Sequence, residues 1–187
     1  MSTDTAIIGR FIIITRPGDT IIGLYNTTAG GSTGGKNGSY SADTEYPEKA
    51  IDNSTETKYF NFGTFVDMWS NRSNAGVGTG FYVTPSISNA SLVVALRFAT
   101  GNDLEQRDPL TVTLEGTNST SLDIGSSWTL IYNGSTGLES NPGRKSYGVR
   151  QNFTNTIRCA SYRFLVTSKR GIAYAVQYSE VQIIGFV

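Results

Sequence analysis

The stretch YRFLVTSKRGIAYAVQYSEVQIIG, residues 162–185, contains two candidate β-strands separated by the turn-forming pair Arg-Gly. Side chains of an extended chain alternate between two faces, so apolar residues at every second position indicate a half-buried strand. This spacing occurs at both ends of the stretch, and at the C-terminal end it continues to residue 187. The positions are Tyr162, Phe164 and Val166 in the first strand, and Val181, Ile183 and Val187 in the second.

Other strand-like runs precede this stretch. SLVVALRFAT (91–100), PLTVTLEGT (109–117) and SWTLIYNG (127–134) are apolar, aromatic or alternating, and they have the length of strands. Gly, Pro and Asn turn residues separate the runs, and long helical periodicity is absent. Short strands with this punctuation predict an all-β fold, either a sandwich or a barrel.

The N-terminal part is organised differently. A strand is predicted over about residues 6–15, and a Gly/Ser/Thr-rich run without strand pattern follows at 26–41. We therefore divide the chain into an N-terminal strand with a Gly-rich arm (1–40) and a sandwich (41–187). The Gly-rich run is either a flexible linker or an ordered connection. The first strand must pack on the main body or on a neighbouring subunit.

The composition argues against several classes of function. The chain of 187 residues has 15 basic and 15 acidic residues, so we expect no nucleic-acid partner. It contains no His, which removes the commonest general base and argues against an enzyme. Its single cysteine, Cys159, cannot form an intrachain disulfide and is predicted to be a buried thiol.

Eight Asn-x-Ser/Thr sequences favour an extracellular, cell-surface or virion-surface glycoprotein. Turn-rich β proteins also place Asn beside Ser and Thr, which leaves a simpler alternative open. No run approaches the roughly 20 apolar residues of a membrane span, and the N-terminus does not fit a signal peptide. The glycosylation sites predicted here are Asn26, Asn37, Asn71, Asn89, Asn118 and Asn133, and the less favoured acceptors are Asn53 and Asn152.

The segment YPEKAIDNSTETKYFNF, residues 46–62, resembles the opening of a discoidin domain, also called a coagulation-factor C-type domain. In that family a Pro-x-x-Ala-x-Asp run leads to Thr, a basic residue and an aromatic residue. Residues 162–185 resemble the closing pair of strands, and the middle runs match in order, so the resemblance covers residues 40–187. The matching residues of the opening motif are Pro47, Ala50, Asp52, Thr57, Lys58 and Tyr59.

The resemblance implies a galactose-binding-like antiparallel β-sandwich of jelly-roll type, with ligand loops at one end. The N-terminal strand and the Gly-rich arm are additions to that fold. Members of the family are mostly non-enzymatic and bind glycans, lipid headgroups, collagen or other proteins. This chain departs from the family pattern at Tyr59, often Trp, and at Asn53, often Gly, and it cannot make the disulfide that often joins the two ends.

The opening loop is a candidate cation site. Asp52 and Thr57 offer a carboxylate and a hydroxyl, which are oxygen ligands of the kind that Ca²⁺ takes. Glu180 matches the family Glu that reaches this loop from the last strand. Alternatively, Asp52 and Thr57 cap a turn while Glu180 pairs with Lys49 or Lys58. The predicted ligands of a structural Ca²⁺ are Asp52, Thr57, Glu180 and the backbone carbonyls of Lys49 and Thr55.

Aromatic and polar side chains on predicted loops are candidates for a glycan-binding face. Sugar rings stack on aromatic rings, and sugar hydroxyls pair with Arg, Asn and Asp side chains. In the competing interpretation, Arg107 and Asp108 form an internal salt bridge, and Phe60 and Phe62 fill the core. The candidate ligand-binding residues are Trp69, Arg72, Asn61, Asn102, Arg107 and Asp108.

Two functions follow from these observations. The first is a non-enzymatic adhesion or lectin-like module whose partner is a glycan or a surface protein. The second is a structural subunit of an extracellular filament, sheath or virion surface. In that case the N-terminal strand would complete a neighbour's sheet and produce a homo-oligomer or a larger assembly.

Overall fold

The structure, a computed structural model, describes residues 10–36, 44–70 and 72–187. Strands dominate these residues, and the α-helix α1 spans Phe65–Ser70. No helix in the described ranges has the length and apolar character needed to cross a bilayer. The strands are β1 Phe11–Ile13, β2 Thr20–Tyr25, β3 Gly35–Lys36, β4 Tyr59–Asn61, β5 Gly80–Thr84, β6 Leu92–Ala99, β7 Pro109–Thr117, β8 Thr129–Ser135, β9 Gln151–Asn152, β10 Ser161–Lys169, β11 Val176–Tyr178 and β12 Glu180–Phe186, and the 3₁₀ turns are Pro47–Ala50, Glu105–Arg107 and Gly125–Ser127.

The strands form a four-stranded sheet, a six-stranded sheet and a short ribbon. The four-stranded sheet has the order β1-β12-β6-β9, and the six-stranded sheet has the order β3-β2-β5-β10-β7-β8. Strands β4 and β11 pair with each other as the ribbon. Every strand pairing is antiparallel. The predicted all-β antiparallel sandwich is therefore confirmed.

The core lies between the two main sheets, where the alternating apolar residues of β10 and β12 meet. The ring centroid of Phe164 lies 5.4 Å from that of Phe81 and 5.2 Å from that of Phe98. Val187 packs against this core as a partly buried residue. The faces predicted from the alternation are confirmed, because full burial is found for Tyr162, Phe164, Val166, Val181 and Ile183.

Two further residues lie in buried positions, and the burial of Cys159 was predicted. Cys159 is a free thiol in the core, and burial raises its pKa. Trp128 is 7% exposed and packs with Leu24, Tyr82 and Leu165 in a second cluster. These neighbours alternate with core residues along their strands, so the second cluster lies on the outer face of the six-stranded sheet.

The N-terminal strand packs on the main body of its own chain. In β1, Phe11 pairs with Phe186 and Ile13 with Ile184 of β12. The next strand, β2, pairs with β5 in the other sheet. The described part of the N-terminal segment is thus shared between both sheets. The boundary drawn at residue 40 falls within 37–43, outside the described residues.

The described part of the Gly-rich run is an ordered connection rather than a flexible linker. It crosses the outer face of the six-stranded sheet, where the Gly30 N–H donates to Glu115 Oε1 at 2.7 Å. Arg163 donates from Nη1 to the Gly31 carbonyl at 2.9 Å and forms a buried ion pair with Glu115 at 2.7 Å. At Gly125, an added Cβ would overlap the Gly30 carbonyl. The close approach of the Gly-rich run to the backbone at position 125 therefore requires a glycine there.

Candidate binding site

One end of the sandwich carries the candidate ligand residues. The register pairs Gly80 at the start of β5 with Leu165, and Pro109 at the start of β7 with Lys169 at the end of β10. The connections that enter or leave these strands therefore meet at the same end. We call this the loop end, and its described residues are 62–70, 72–79, 100–108, 136–150 and 170–175.

Arg107 is the most constrained side chain of the loop end. Its guanidinium lies 5.0 Å from the ring centroid of Phe60 and 4.5 Å from that of Tyr174. It donates from Nη1 to Gln177 Oε1 at 3.1 Å and from Nη2 to the Tyr174 hydroxyl at 2.7 Å. Arg107 is only 4% exposed, so this predicted binding residue is chiefly a fixed positive charge beneath the surface.

Asp103 presents a carboxylate beside Arg107. Its Oδ1 lies 3.1 Å from Lys58 Nζ and 3.5 Å from Arg107 Nη1, and its side chain is 48% exposed. Desolvation opposes its ionisation, but hydrogen bonds with Gln177 and Lys58 and the positive charges of Lys58 and Arg107 outweigh it and lower the pKa of Asp103. The carboxylate is therefore ionised at neutral pH, anchored on one side and open to solvent on the other.

Three further predicted residues lie on the surface of the same end. Asn102 is exposed beside Asp103, and Trp69 on α1 is 68% exposed. Arg72 is exposed, and its carbonyl accepts a hydrogen bond from Lys169 Nζ at 2.7 Å. Lys169 also donates to Ala75 and Ala173. It thus ties the segment that contains Arg72 to the segment that leads to Tyr174, although burial lowers the pKa of Lys169 to about 8.

Two predicted ligand-binding residues, Asn61 and Asp108, have internal roles instead, and the structure corrects these assignments. Asn61 is fully buried, donates to Leu24 O at 3.2 Å and to Tyr59 Oη at 2.6 Å, and accepts from the Gly63 N–H. Asp108 is also fully buried and accepts two hydrogen bonds from Arg144, at 2.8 and 2.6 Å. These bonds raise the pKa of Arg144. Neither side chain can reach a ligand at the surface.

The predicted pair between Arg107 and Asp108 is not formed. Arg107 pairs with Asp103, while Asp108 pairs with Arg144 and, at 3.5 Å, with Arg170. Phe60 and Phe62 are buried in a small cluster with Ala175, as the core interpretation expects. Tyr174 and Gln177 were not predicted, because only the ribbon pairing of β4 with β11 brings them to Phe60.

The opening loop brings Asp52 and Glu180 together. Asp52 accepts from Thr57 Oγ1 at 2.7 Å and from the Ser54 N–H at 3.1 Å, and Lys49 Nζ lies 3.3 Å from it. Glu180 is 4% exposed and accepts from the Asn53 N–H at 3.0 Å. Burial, with the nearby Asp52 charge, raises the pKa of Glu180 to about 8. The hydrogen bonds match the turn-capping alternative, but Lys49 pairs with Asp52 and not with Glu180.

The opening loop fits a hard cation in its donor types. The carboxyl groups of Asp52 and Glu180 and the Thr57 hydroxyl lie together there, and burial is the main cause of the raised pKa of Glu180. A cleft of about 320 Å³ opens beside Asp52 and Glu180. The described residues contain no group of three or more His, Cys, Asp or Glu side chains suited to a metal. A cation here would therefore need backbone carbonyls, such as those of Lys49 and Thr55, or water.

The predicted glycosylation sites differ in their surroundings. Asn118 is exposed, but its amide donates to the Arg158 carbonyl at 2.9 Å and accepts from the Ala160 N–H at 2.8 Å. Asn53 is exposed with a positive φ of 61°. Asn37 and Asn71 lie outside the described residues. The other predicted acceptors are exposed: Asn26, Asn89 and Asn133.

Searches against protein-family models and against curated proteins give no match to this chain. Solved structures do match it. The family 32 carbohydrate-binding module of C. perfringens NanJ, in complex with galactose, superposes with a TM-score of 0.60 at 12% identity, covering 94% of this chain and 99% of that one. A family 62 module of Clostridium thermocellum Xyl5A gives a TM-score of 0.55 at 16% identity, covering 89% and 94%.

A lectin also matches. The F-lectin (fucolectin) from the serum of Morone saxatilis, the striped bass, superposes with a TM-score of 0.57 at 11% identity, covering 94% of this chain and 49% of that one. Identities this low establish the fold alone. The superpositions agree with the antiparallel β-sandwich described above. The chain therefore has the discoidin-like, galactose-binding-like β-sandwich fold that its sequence resembles.

Proposed function

We propose that the protein is a non-enzymatic carbohydrate-binding module, acting at an extracellular, cell or virion surface, whose loop end binds a glycan. The observation that carries the proposal is the arrangement around Arg107. A buried guanidinium that packs against the rings of Phe60 and Tyr174 lies 3.5 Å from a half-exposed carboxylate, Asp103. Two proteins of similar fold, a module solved in complex with galactose and a fucolectin, support the same ligand class.

The exposed groups of the loop end have complementary roles in this proposal. Asp103 accepts hydrogen bonds from sugar hydroxyls, and the cations of Lys58 and Arg107 hold it in place. Asn102 offers an amide that both donates and accepts. Trp69 offers an exposed ring for stacking against the apolar face of a sugar. Together these side chains orient the bound sugar and select it by its hydroxyls, without a large apolar pocket.

The proposal includes no catalytic step. A general acid must hold a proton near neutral pH, whereas the pKa of Asp103 lies below its usual range. Arg107 is held by hydrogen bonds to Gln177 and Tyr174 and remains a fixed cation. The arrangement is suited to binding polar hydroxyls and not to proton transfer.

A glycan array followed by calorimetric titration of the best ligand tests the proposal. We expect Asp103→Ala and Asn102→Ala each to weaken binding about tenfold, because each removes a hydrogen-bonding group at the sugar. Both side chains are at least partly exposed, so the variants should fold. Asp123→Ala removes an exposed carboxylate outside the loop end, paired with Lys36, and serves as the matched control with unchanged affinity. Absence of binding to every glycan, with and without Ca²⁺, would contradict the proposal.

We further propose that the opening loop holds a structural Ca²⁺. Asp52, Thr57 and Glu180 would supply side-chain oxygens, and the carbonyls of Lys49 and Thr55 would add backbone ligands. The support is the convergence of two carboxylates at a site where Glu180 is buried. A bound divalent cation would offset the repulsion between them and stiffen the loop that leads into β4.

Thermal unfolding with and without Ca²⁺ measures this effect. At a hundredfold excess over Kd, we expect the Tm to rise by about 5–10 °C. Glu180→Gln should abolish most of the rise, since it removes one anionic ligand. Glu56→Gln, an exposed acid on the same loop that pairs with Lys145, is the matched control and should keep the rise. An equal Tm with Ca²⁺ and with chelator would argue against the site.

An assembly role is the second candidate function, and the free edge of β1 favours it. In the described residues β1 pairs only with β12, so its other edge is unpaired. Phe11 and Ile13 on this strand are 47% and 40% exposed. An unpaired edge with exposed apolar residues can add a strand from another copy. A monomer by light scattering at high protein concentration would rule against this candidate.

A further inference from the structure

A second cleft lies on the outer face of the four-stranded sheet, apart from the Arg107 and Asp103 cluster. Its floor is formed by β6 and β12, and residues 137–150 form its wall. Its volume is about 730 Å³, within the range of roughly 300–1,000 Å³ that is typical of small-ligand sites. The lining side chains that matter here are Arg97, Tyr147, Val149, Arg150, Gln182 and Ile184.

Arg97 is positioned in this cleft with only its Nε–H in a hydrogen bond, which leaves the four N–H groups of Nη1 and Nη2 unused. Its Nε donates to the Gly148 carbonyl at 3.1 Å, and its guanidinium lies 4.7 Å from the ring centroid of Tyr147. Among the described residues, neither Nη1 nor Nη2 has a hydrogen-bond partner, and neither atom is buried. The two nitrogens form a fixed fork of the geometry that binds a carboxylate through two hydrogen bonds.

The lining of the cleft has an excess of positive charge, while the Glu180 carboxylate, outside the lining, acts electrostatically on Tyr147. Arg150 provides a second guanidinium at its edge, and no acidic residue is among the lining residues. Within the described ranges, no carboxylate lies within salt-bridge distance of Arg97 or Arg150. The whole chain has a net charge of 0. Two unpaired arginines in one cleft are therefore a local feature that favours an anionic ligand.

The size and lining of the cleft favour an anion larger than an inorganic ion. Its volume is many times the roughly 30 Å³ share of one water molecule. Gln182 Nε2 donates to the Tyr147 hydroxyl at 3.1 Å, which leaves Gln182 Oε1 and the Tyr147 proton available for ligand hydroxyls. Val149 and Ile184 add apolar surface suited to the C–H face of a sugar ring. Charge, hydroxyl partners and apolar surface together match an acidic sugar.

We propose that this cleft is a second binding site, specific for a saccharide that carries a carboxylate, such as a uronate. Arg97 and Arg150 bind the carboxylate, while Gln182 and Tyr147 bind ring hydroxyls. The site goes beyond the proposed glycan site and shares none of the ligand-contacting residues assigned there, Trp69, Asn102 and Asp103, although its wall belongs to the 136–150 segment of the loop end. The module would then bind a neutral sugar and an acidic sugar at separate places.

Calorimetric titration of the full chain with α-1,4-digalacturonate tests the second site. The matched ligand is α-1,4-digalactose, which has a hydroxymethyl group in place of each carboxylate. We expect the digalacturonate to bind at least about tenfold more tightly at this cleft than the neutral disaccharide. Arg97→Gln and Arg150→Ala should each weaken digalacturonate binding about tenfold. Arg158→Ala removes an arginine outside the cleft and should leave it unchanged.

Two controls separate this proposal from simpler explanations. Arg150 is exposed and makes no hydrogen bond in the described residues, so Arg150→Ala tests the site even if Arg97→Gln fails to fold. Asp103→Ala should affect binding at the loop end and leave digalacturonate binding intact. Loss of digalacturonate binding in Asp103→Ala but not in Arg150→Ala would overturn the second site. If sulfate at matched ionic strength competed for the cleft as strongly as digalacturonate, the second site would also be overturned. That result would show a nonspecific anion site.

Discussion

Replacing Glu115 by Ala is expected to lower the free energy of unfolding by about 3–5 kcal/mol. Glu115 is 1% exposed, and Arg163 is fully buried. The substitution leaves the Arg163 guanidinium without its counter-charge in the interior, where its Nη2 already has no hydrogen-bond partner. It also removes the acceptor of the Gly30 N–H, so the Gly-rich arm loses an anchor.

Urea unfolding measures this loss, and hydrogen exchange at the Gly30 amide reports release of the arm. Asp123→Ala is the matched control, because Asp123 also ties the arm through Lys36 but lies at the surface. Exposed pairs contribute about 0–1 kcal/mol, so the control should change the unfolding free energy little. An Asp123→Ala effect as large as that of Glu115→Ala would contradict the role assigned to the buried pair.

Replacing Asp108 by Ala is expected to cost about 3 kcal/mol of stability and to weaken glycan binding, although Asp108 touches no ligand. Its buried carboxylate joins three parts of the loop end. It accepts two hydrogen bonds from Arg144 and lies 3.5 Å from Arg170 Nε. It also directly follows Arg107. Without it, the segments 100–108, 136–150 and 170–175 lose their common ion pair.

Urea unfolding and glycan titration of Asp108→Ala distinguish positioning from direct contact. Asp103→Ala should reduce affinity with little change in stability, whereas Asp108→Ala should reduce both. Glu105→Ala is the control within the same loop, since Glu105 is exposed and its carboxylate bonds only Asn141 among the described residues. Wild-type stability in Asp108→Ala would show that this carboxylate does not hold the loops together.

Local sequence pattern predicted the sheets well, because alternation directly reports which face of a strand is buried. The apolar positions of β10 and β12 are core residues, as expected. The family resemblance added one long-range contact that no local pattern contains. It placed Glu180 at the opening loop, and the Asn53 N–H lies 3.0 Å from the Glu180 carboxylate.

Local pattern could not predict the side-chain partners, because these depend on the fold. Arg107 and Asp108 are neighbours in sequence, yet they pair with Asp103 and with Arg144 and Arg170. The Gly-rich run has the composition of a linker, but Glu115, which is 85 positions from Gly30, orders it. A strand-borne glutamate gives no local sign of such a contact.

Amide chemical shifts of the ¹⁵N-labelled chain, during titration with the glycan that binds best on the array, test the proposed site at the loop end most directly. We expect saturable shifts concentrated at Trp69 and in residues 100–108 and 170–175, with about tenfold weaker saturation in Asp103→Ala. Shifts confined to the opposite end of the sandwich, around residues 118–128, or no shifts at any concentration of that glycan, would contradict the proposed site.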